Sequence, residues 1–532
     1  MTKQQPVMTD ADLNTLSDLS RYNCLHFGLY KAIIYEDQQQ QEVREYSNFD
    51  IAREAAQLTD GLRALGIEKG DRVMVMMINC PEVIIAYQAI ARAGGVIIPV
   101  MPLLKPLEVQ YIARNSAAKA IFTSPILLPL VQGALASIST MQHIIVTSAL
   151  VPTDTAPTVH AYSDVVAKGA ARADDFLATA GDLSVASDDA AVILYTSGTT
   201  GNPKGVVLTH RNLIANALAG RGAAYETRDE ETQLAVLPLA HAFGILVANV
   251  FFLRGMTVIA HPRFDTSAVL SAIERYRIAA FAGVPAMFVA LLYSPDADRF
   301  DTSSLRSCVS GSAPLPLAIL EGFEKKFNCT ILEGYGLSEA SAALTGHSLT
   351  MPRKPGSVGV PLPGVELLIV DARDQPLPAG EIGEVIARGP NIMQSYYNMP
   401  EETTAAMRNG WLHTGDMGYL DQDGYLYIVE RKKDLIIRGG FNVYPRDVEE
   451  VLNRHPAVIE SAVVGVPSLR MGEEVKAFVV TREPVDAESL MAYCREALAN
   501  YKTPSELEFV DALPRNAIGK IDKKELRKRY VH

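Results

Sequence analysis

Cysteine is scarce. Cys24, Cys80, Cys308, Cys329 and Cys494 are the only ones in 532 residues, they lie far apart, and no CxxC pair occurs. That pattern argues against a zinc ribbon or a disulfide framework. It points to free, buried thiols in a reducing compartment, the cytoplasm. Basic residues are also short: 49 Lys and Arg face 61 Asp and Glu, for a net charge of −12. General nucleic-acid binding needs a phosphate-neutralising surface and is disfavoured. An anionic substrate would need a local cluster of Lys and Arg. The opening Met1-Thr2-Lys3-Gln4 lacks an apolar signal core. Internal repeats and low-complexity segments are absent. One uncharged run, the 20 residues from Leu234 to Leu253, is long enough to span a bilayer. Pro238, His241, Gly244 and Asn249 within it are unfavourable against lipid, so the run reads as a strand end, a loop and a core helix, with no transmembrane segment.

What is present is a soluble balance, 48% hydrophobic and 21% charged, in a chain too long for one core. Short apolar runs alternate with amphipathic stretches through the first 350 residues or so. Asp71 to Met76 leads to a helix near Glu82 to Arg92, then to a strand at Val96 to Pro99. Ala191 to Tyr195 is a continuous apolar run that ends in a Gly-rich turn. Such alternation predicts βαβ units and mainly parallel sheets. From Gly356 the texture changes to short, Pro- and Gly-punctuated strands, which predicts a β subdomain over 356–433. From Asp434 on, a compact α+β unit over 434–532 reads as a separate domain.

The densest local signal is Tyr195-Thr196-Ser197-Gly198-Thr199-Thr200-Gly201-Asn202-Pro203-Lys204-Gly205. Three glycines admit close approach to bare amides, the hydroxyls add donors, and Lys204 adds a point charge. This is a cradle for a polyphosphate, though its spacing is not GxxxxGK[ST]. A polar turn after a buried strand is the plainer alternative. Further on stand Ser310-Gly311-Ser312-Ala313-Pro314, Glu333-Gly334-Tyr335-Gly336-Leu337-Ser338-Glu339, Thr414-Gly415-Asp416, Glu430-Arg431-Lys432-Lys433-Asp434 and Pro514-Arg515-Asn516-Ala517-Ile518-Gly519-Lys520.

These six segments, in this order, resemble the adenylate-forming superfamily: acyl-CoA synthetases, luciferases and adenylation domains of peptide synthetases. Gly439-Gly440-Phe441-Asn442-Val443-Tyr444-Pro445 is similar in texture to bacterial fatty-acid-CoA ligases. The resemblance implies an α/β fold with a large N-terminal domain, 1–433, of two mainly parallel sheets plus the β subdomain. It implies a small mobile C-terminal domain, 434–532, turning about a hinge at Asp434. It implies ATP, coenzyme A and a carboxylic acid as substrates, with Mg²⁺ as cofactor, and it allows a homodimer.

Roles follow residue by residue from the same resemblance. Thr196, Ser197, Gly198, Thr199, Thr200, Gly201 and Lys204 would cradle the phosphates. Tyr335 would stack on adenine opposite Ser312, Ala313 and Pro314, within a nucleotide site that includes Glu333, Gly334 and Gly336. Ser338 stands where the family commonly has Thr and keeps the hydroxyl for the α-phosphate. Glu339 would hold Mg²⁺, with Thr196 as second ligand; hard oxygens suit that ion. Asp416 would accept from the ribose hydroxyls, and Arg431 would hold ribose or phosphate from the other side. Lys520 would sit over the α-phosphate and the acyl carboxylate. Taken alone, Thr414 to Asp416 reads as a turn, and a lysine beside Lys523, Lys524, Arg527, Lys528 and Arg529 as a solvated face. His241 resembles the family's histidine near the acyl carboxylate; a satisfied core histidine is its plainer reading. Gly439 and Gly440 would line the coenzyme A tunnel.

The acyl pocket would be walled by Ala242, Phe243, Val284, Gly311 and Gly336. No Asp or Glu lies between Pro238 and Leu253, so an ammonium there would be unpaired and an amino-acid substrate is disfavoured. A medium- or long-chain fatty acid is the leading expectation. An aryl or cycloalkyl acid, delivery to a carrier protein, a luciferase-type oxygenase and a catalytically dead nucleotide-binding regulator remain as alternatives.

Overall fold

A computed structural model describes residues 8–148, 157–172, 176–177, 185–196, 203–223, 231–348, 350–516 and 519–528. Two large sheets carry the first 350 residues, parallel through their centres; the nine-stranded sheet is antiparallel at both edges, the eight-stranded sheet at one, while its other edge, Thr158–Ala161, is parallel. The eight-stranded sheet runs Ser395–Tyr396, Lys204–Thr209, Ala190–Thr196, Val96–Pro99, Arg72–Met76, Ala120–Thr123, His143–Val146, Thr158–Ala161. The nine-stranded sheet runs Val360–Pro361, Thr345–Gly346, Thr330–Tyr335, Ser307–Ser310, Ala280–Gly283, Thr232–Ala235, Thr257–Ala260, Lys31–Asp37, Glu42–Ser47. Strands such as Val96–Pro99 and Ala120–Thr123 are buried at every residue, because helices cover both faces of a parallel sheet. The largest core lies between the two sheets, where helices Pro81–Arg92 and Ala242–Arg254 meet.

The uncharged run resolves as the strand Thr232–Ala235, a loop, and the helix Ala242–Arg254. That helix ends at Gly255, whose φ is 64°. A Cβ there would lie 2.5 Å from the Phe27 ring, so glycine satisfies both the turn and the packing. Among the described residues no helix is long and apolar enough to cross a membrane. The cysteines are free; four are buried and Cys80 is partly so.

A third sheet joins Glu366–Val370, Gly383–Arg388, Trp411–Leu420 and Met407–Arg408, with Leu426–Arg431 on Trp411–Leu420. The stretch that holds this sheet is not self-contained. Val360–Pro361 pairs into the nine-stranded sheet and Ser395–Tyr396 into the eight-stranded one. Two-residue strands carry no periodicity that a sequence could display. Beyond Asp434 the chain forms its own sheet, Phe441–Val443, Ile436–Arg438, Gly472–Thr481, Val458–Ser468, with Glu506–Phe509 parallel to Gly472–Thr481.

Candidate active site

Ala190–Thr196 and Lys204–Thr209 form a hairpin in which Thr196 faces Lys204. Ser197, Gly198, Thr199, Thr200 and Gly201, the tip of the expected phosphate cradle, lie outside the described residues. The Lys204 ammonium sits 5.1 Å from the centre of the Tyr396 ring, a cation–π distance. The Tyr396 hydroxyl donates to Glu339 Oε1 at 2.8 Å. Burial and the Glu339 charge raise the Tyr396 phenol above its ordinary range, so the proton stays on the tyrosine. Tyr396 thus joins the two groups expected to face the triphosphate and its metal.

Ser310 ends its strand; Gly311 follows, and Ser312 takes φ 72°, a left-handed conformation unusual for a side-chain-bearing residue. That turn follows the strand Ser307–Ser310, which runs parallel to the neighbouring strand Thr330–Tyr335 that ends in Tyr335. The Tyr335 hydroxyl donates to Asp416 Oδ2 at 2.6 Å, and Arg431 Nε lies 3.2 Å from Asp416 Oδ1. Strand register puts Asp416 opposite Arg431. Each carboxylate oxygen keeps a second lone pair for a ribose hydroxyl. Glu333, on the same strand, is buried and accepts the Gly356 N–H at 3.4 Å. Burial pushes its carboxyl up to about 7, against the pull of Arg446. A Cβ on Gly336 would lie 2.0 Å from the Ala342 carbonyl oxygen. Glycine at 336 is therefore required by backbone packing.

Lys520 comes to this cluster from the C-terminal unit. Burial and the Arg431 charge lower its ammonium to about 8, while Asp416 and Glu339 act the other way. A Cβ on the preceding Gly519 would touch Val284 at 4.0 Å. His241 caps the helix Ala242–Arg254: its Nδ1 accepts the Phe243 N–H at 3.3 Å. Burial, with Lys520 adding repulsion, holds the imidazole at about 3. The ring is therefore neutral, and with Nδ1 accepting, its proton is on Nε2, available to an oxygen ligand. Phe243 packs on Gly311, where a Cβ would lie 3.2 Å from the ring. Ser338 and Glu339 open a short turn, and the Met393 N–H donates to the Glu339 carbonyl at 2.8 Å.

One apolar cavity spans about 710 Å³ of space, the open solvent at its mouth included. It runs along the helix capped by His241. Ile33, Leu237, Gly244, Val247, Phe251 and Val258 are among its lining residues. None of Ala242, Phe243, Val284, Gly311 and Gly336 lines it. Those five stand at the helix start and just beyond the strand ends. The sequence run Leu234 to Leu253 contained the lining but not which face was open.

The C-terminal unit is held by charge. Lys523 lies 2.8 Å from Glu449 and 3.4 Å from Glu430. Burial opposes its charge, but the two carboxylates prevail and raise it. Arg446 donates to the Ile428 carbonyl. At Asp434 the backbone N–H donates to the Arg431 carbonyl at 2.9 Å, and Oδ1 pairs with Arg527 at 2.7 Å. Gly439 and Gly440 form the tight turn between Ile436–Arg438 and Phe441–Val443, with φ of 58° and 85°. Their surroundings belong to the C-terminal unit: the Gly439 N–H donates to the Met471 carbonyl at 2.7 Å.

Residues 26–397 match the family model for the AMP-binding enzyme, and residues 447–520 match that for the AMP-binding enzyme C-terminal domain. The chain is 39% identical over 497 residues to a long-chain-fatty-acid–CoA ligase of Bacillus subtilis (strain 168), covering 90% of this chain and 89% of that protein. It is 36% identical over 487 residues to a feruloyl-CoA synthase of Amycolatopsis sp, covering 90% and 93%. Among solved structures, the anthranilate CoA ligase AuaEII with anthranoyl-AMP superposes with a TM-score of 0.88 at 29% identity, covering 98% and 99%.

Proposed function

The chain belongs to the AMP-binding enzymes, and on that premise we propose that it is an AMP-forming ligase joining an apolar, medium- or long-chain carboxylic acid to coenzyme A. The observation that carries the choice of acid is the apolar cavity along the helix capped by His241, whose first residue is Ala242 where an ammonium-binding acid would stand.

The acid's carboxylate oxygen attacks the α-phosphorus of ATP. The bond to the bridging oxygen breaks and pyrophosphate leaves. Lys520 and Lys204 lie on the path of the developing charge, and a fixed ammonium stabilises it most where water is excluded. His241, neutral with Nε2–H, donates to the acyl carboxylate and orients it. Asp416 and Arg431 hold the ribose side. Thr196 and Glu339 offer hard oxygens of the kind magnesium takes. Among the described residues no group of three or more His, Cys, Asp or Glu could hold a metal alone, so the ion would take its other ligands from nucleotide and water. When bound, Mg²⁺ neutralises charge on the phosphate oxygens. In the second step the coenzyme A sulfur, its proton lost, attacks the acyl carbon and AMP leaves. For this the C-terminal unit turns at Asp434, withdrawing Lys520 and presenting the Gly439-Gly440 turn.

A pyrophosphate-release screen over carboxylic acids, with and without coenzyme A, tests the reading. Dodecanoate and longer fatty acids should lead, ahead of ferulate and anthranilate. Amino acids or dicarboxylates outrunning every fatty acid would overturn it. Thioester made only on a carrier protein would replace the acceptor.

A further inference from the structure

His241 is held by a loop, and that loop is held from the other sheet. Residues 236–241 leave the nine-stranded sheet after Thr232–Ala235 and turn into the helix Ala242–Arg254. The His241 N–H donates to the Pro238 carbonyl at 3.0 Å, so the imidazole is placed by the turn that begins at Pro238. Across from it, Asn79 follows the strand Arg72–Met76 of the eight-stranded sheet. Its side chain is buried, and it bridges the loop at two points. Nδ2 donates to the Leu237 carbonyl at 2.9 Å, and Oδ1 accepts the Leu239 N–H at 2.9 Å. From the next helix, the Tyr87 hydroxyl donates to the Leu239 carbonyl at 3.1 Å. The loop lies between two apolar layers and has no strand partner at these groups. Two side chains therefore supply the hydrogen bonds that a neighbouring strand would otherwise give.

We propose that Asn79, assisted by Tyr87, is a positioning residue for His241, fixing the loop that presents Nε2–H to the acyl carboxylate. The amide is suited to this as few side chains are: it donates and accepts on one rigid plane, matching a carbonyl and an N–H two residues apart in the loop. Asn79 also lines the apolar cavity, so the same residue touches the space for the acyl tail and sets the group at its head. The inference rests on the reading of His241 given above.

The experiment is ATP–pyrophosphate exchange with dodecanoate on Asn79→Leu, Tyr87→Phe, His241→Ala and the two doubles with His241→Ala. Asn79→Leu keeps the branched shape of the side chain and removes both bonds. A displacement of about 1 Å at a positioned group costs up to about 100-fold. Asn79→Leu should therefore lower kcat/KM for the acid by about 10–100-fold while KM for ATP stays within about twofold. Tyr87→Phe should show the same pattern more weakly, and it keeps the test available if Asn79→Leu fails to fold. In the His241→Ala background, either change should add less than about threefold, because residues acting through one group are not additive. Full multiplication of the two effects, or an equal rise in KM for ATP, would overturn the proposal. A slow His241→Ala with an unaffected Asn79→Leu removes Asn79 alone. An unaffected His241→Ala removes the reading of His241 and this inference with it.

Discussion

The Lys520 ammonium makes the first half-reaction a titration of domain position. In the orientation seen here, burial and Arg431 bring it to about 8. An exposed lysine titrates near 10.4. Adenylation needs the protonated form, so the sign is fixed: rate is lost as pH rises through the folded value. At pH 7 about 90% of the free enzyme carries the charge, and at pH 9 about 10%. The assay is kcat/KM for ATP in pyrophosphate exchange from pH 6 to 10, since that parameter reports the free enzyme. It should fall roughly tenfold per pH unit above about 8. The limb in kcat should lie higher, because a bound triphosphate favours the cation. Arg431→Gln removes the repelling neighbour and should move the midpoint up; Asp416→Asn removes an attracting one and should move it down. Lys520→Arg should run flat to pH 10 at a lower rate. A wild-type profile level through pH 9.5 would refute the reasoning, by showing that the free enzyme does not keep Lys520 buried beside Arg431. A limb near pH 8 that ignores both neighbour substitutions would refute the assigned cause.

The remaining expectations concern the two halves of the reaction. Asp434→Pro removes the N–H that donates to Arg431 and stiffens the pivot; pyrophosphate should still appear, while thioester formation falls much further, and equal losses would remove the hinge. Lys523→Met leaves Glu430 and Glu449 facing each other without their cation. Adenylation should drop while thioester formation from supplied acyl-adenylate holds, and a parallel fall in both would show no latch. Tyr396→Phe frees the Glu339 carboxylate, and the Mg²⁺ concentration for half-maximal exchange should rise roughly tenfold; an unchanged Mg²⁺ titration would leave Tyr396 a packing residue only.

The parallel strands were legible because burial on both faces writes itself as unbroken Val and Ile, as in Ala191 to Leu194, and the helix at 81–92 because Pro81 and its apolar face mark it. The groups around Lys520 were legible as motifs whose order alone was informative. What the structure adds is their meeting: Tyr335 on Asp416, Arg431 opposite it, and Lys520 arriving from another domain. Tyr396 and Asn79 were not legible. Each acts through side-chain bonds to a segment far away in sequence, Tyr396 to Glu339 and Asn79 to Leu237 and Leu239, and neither sits in a periodic run long enough to show. The cavity was half legible: an apolar run says that a surface is buried, not whether another atom or empty space lies against it.

The short pairing of Ser395–Tyr396 with the phosphate hairpin has a bearing on which length changes the chain can absorb. Its neighbours alternate: Tyr396 faces Glu339, whereas Tyr397 packs in the core beside Tyr195 and Val207. Losing one residue between 389 and 394 would slide Tyr397 into the place of Tyr396 and Asn398 into the core. The slot beside Glu339 would still receive a tyrosine, and the damage would fall on folding, through a buried amide. Gaining one residue there would do the reverse, keeping an aromatic ring in the core and placing Ser395 opposite Glu339. Deletions in this loop should therefore be selected against as unstable proteins, and insertions as stable, inactive ones.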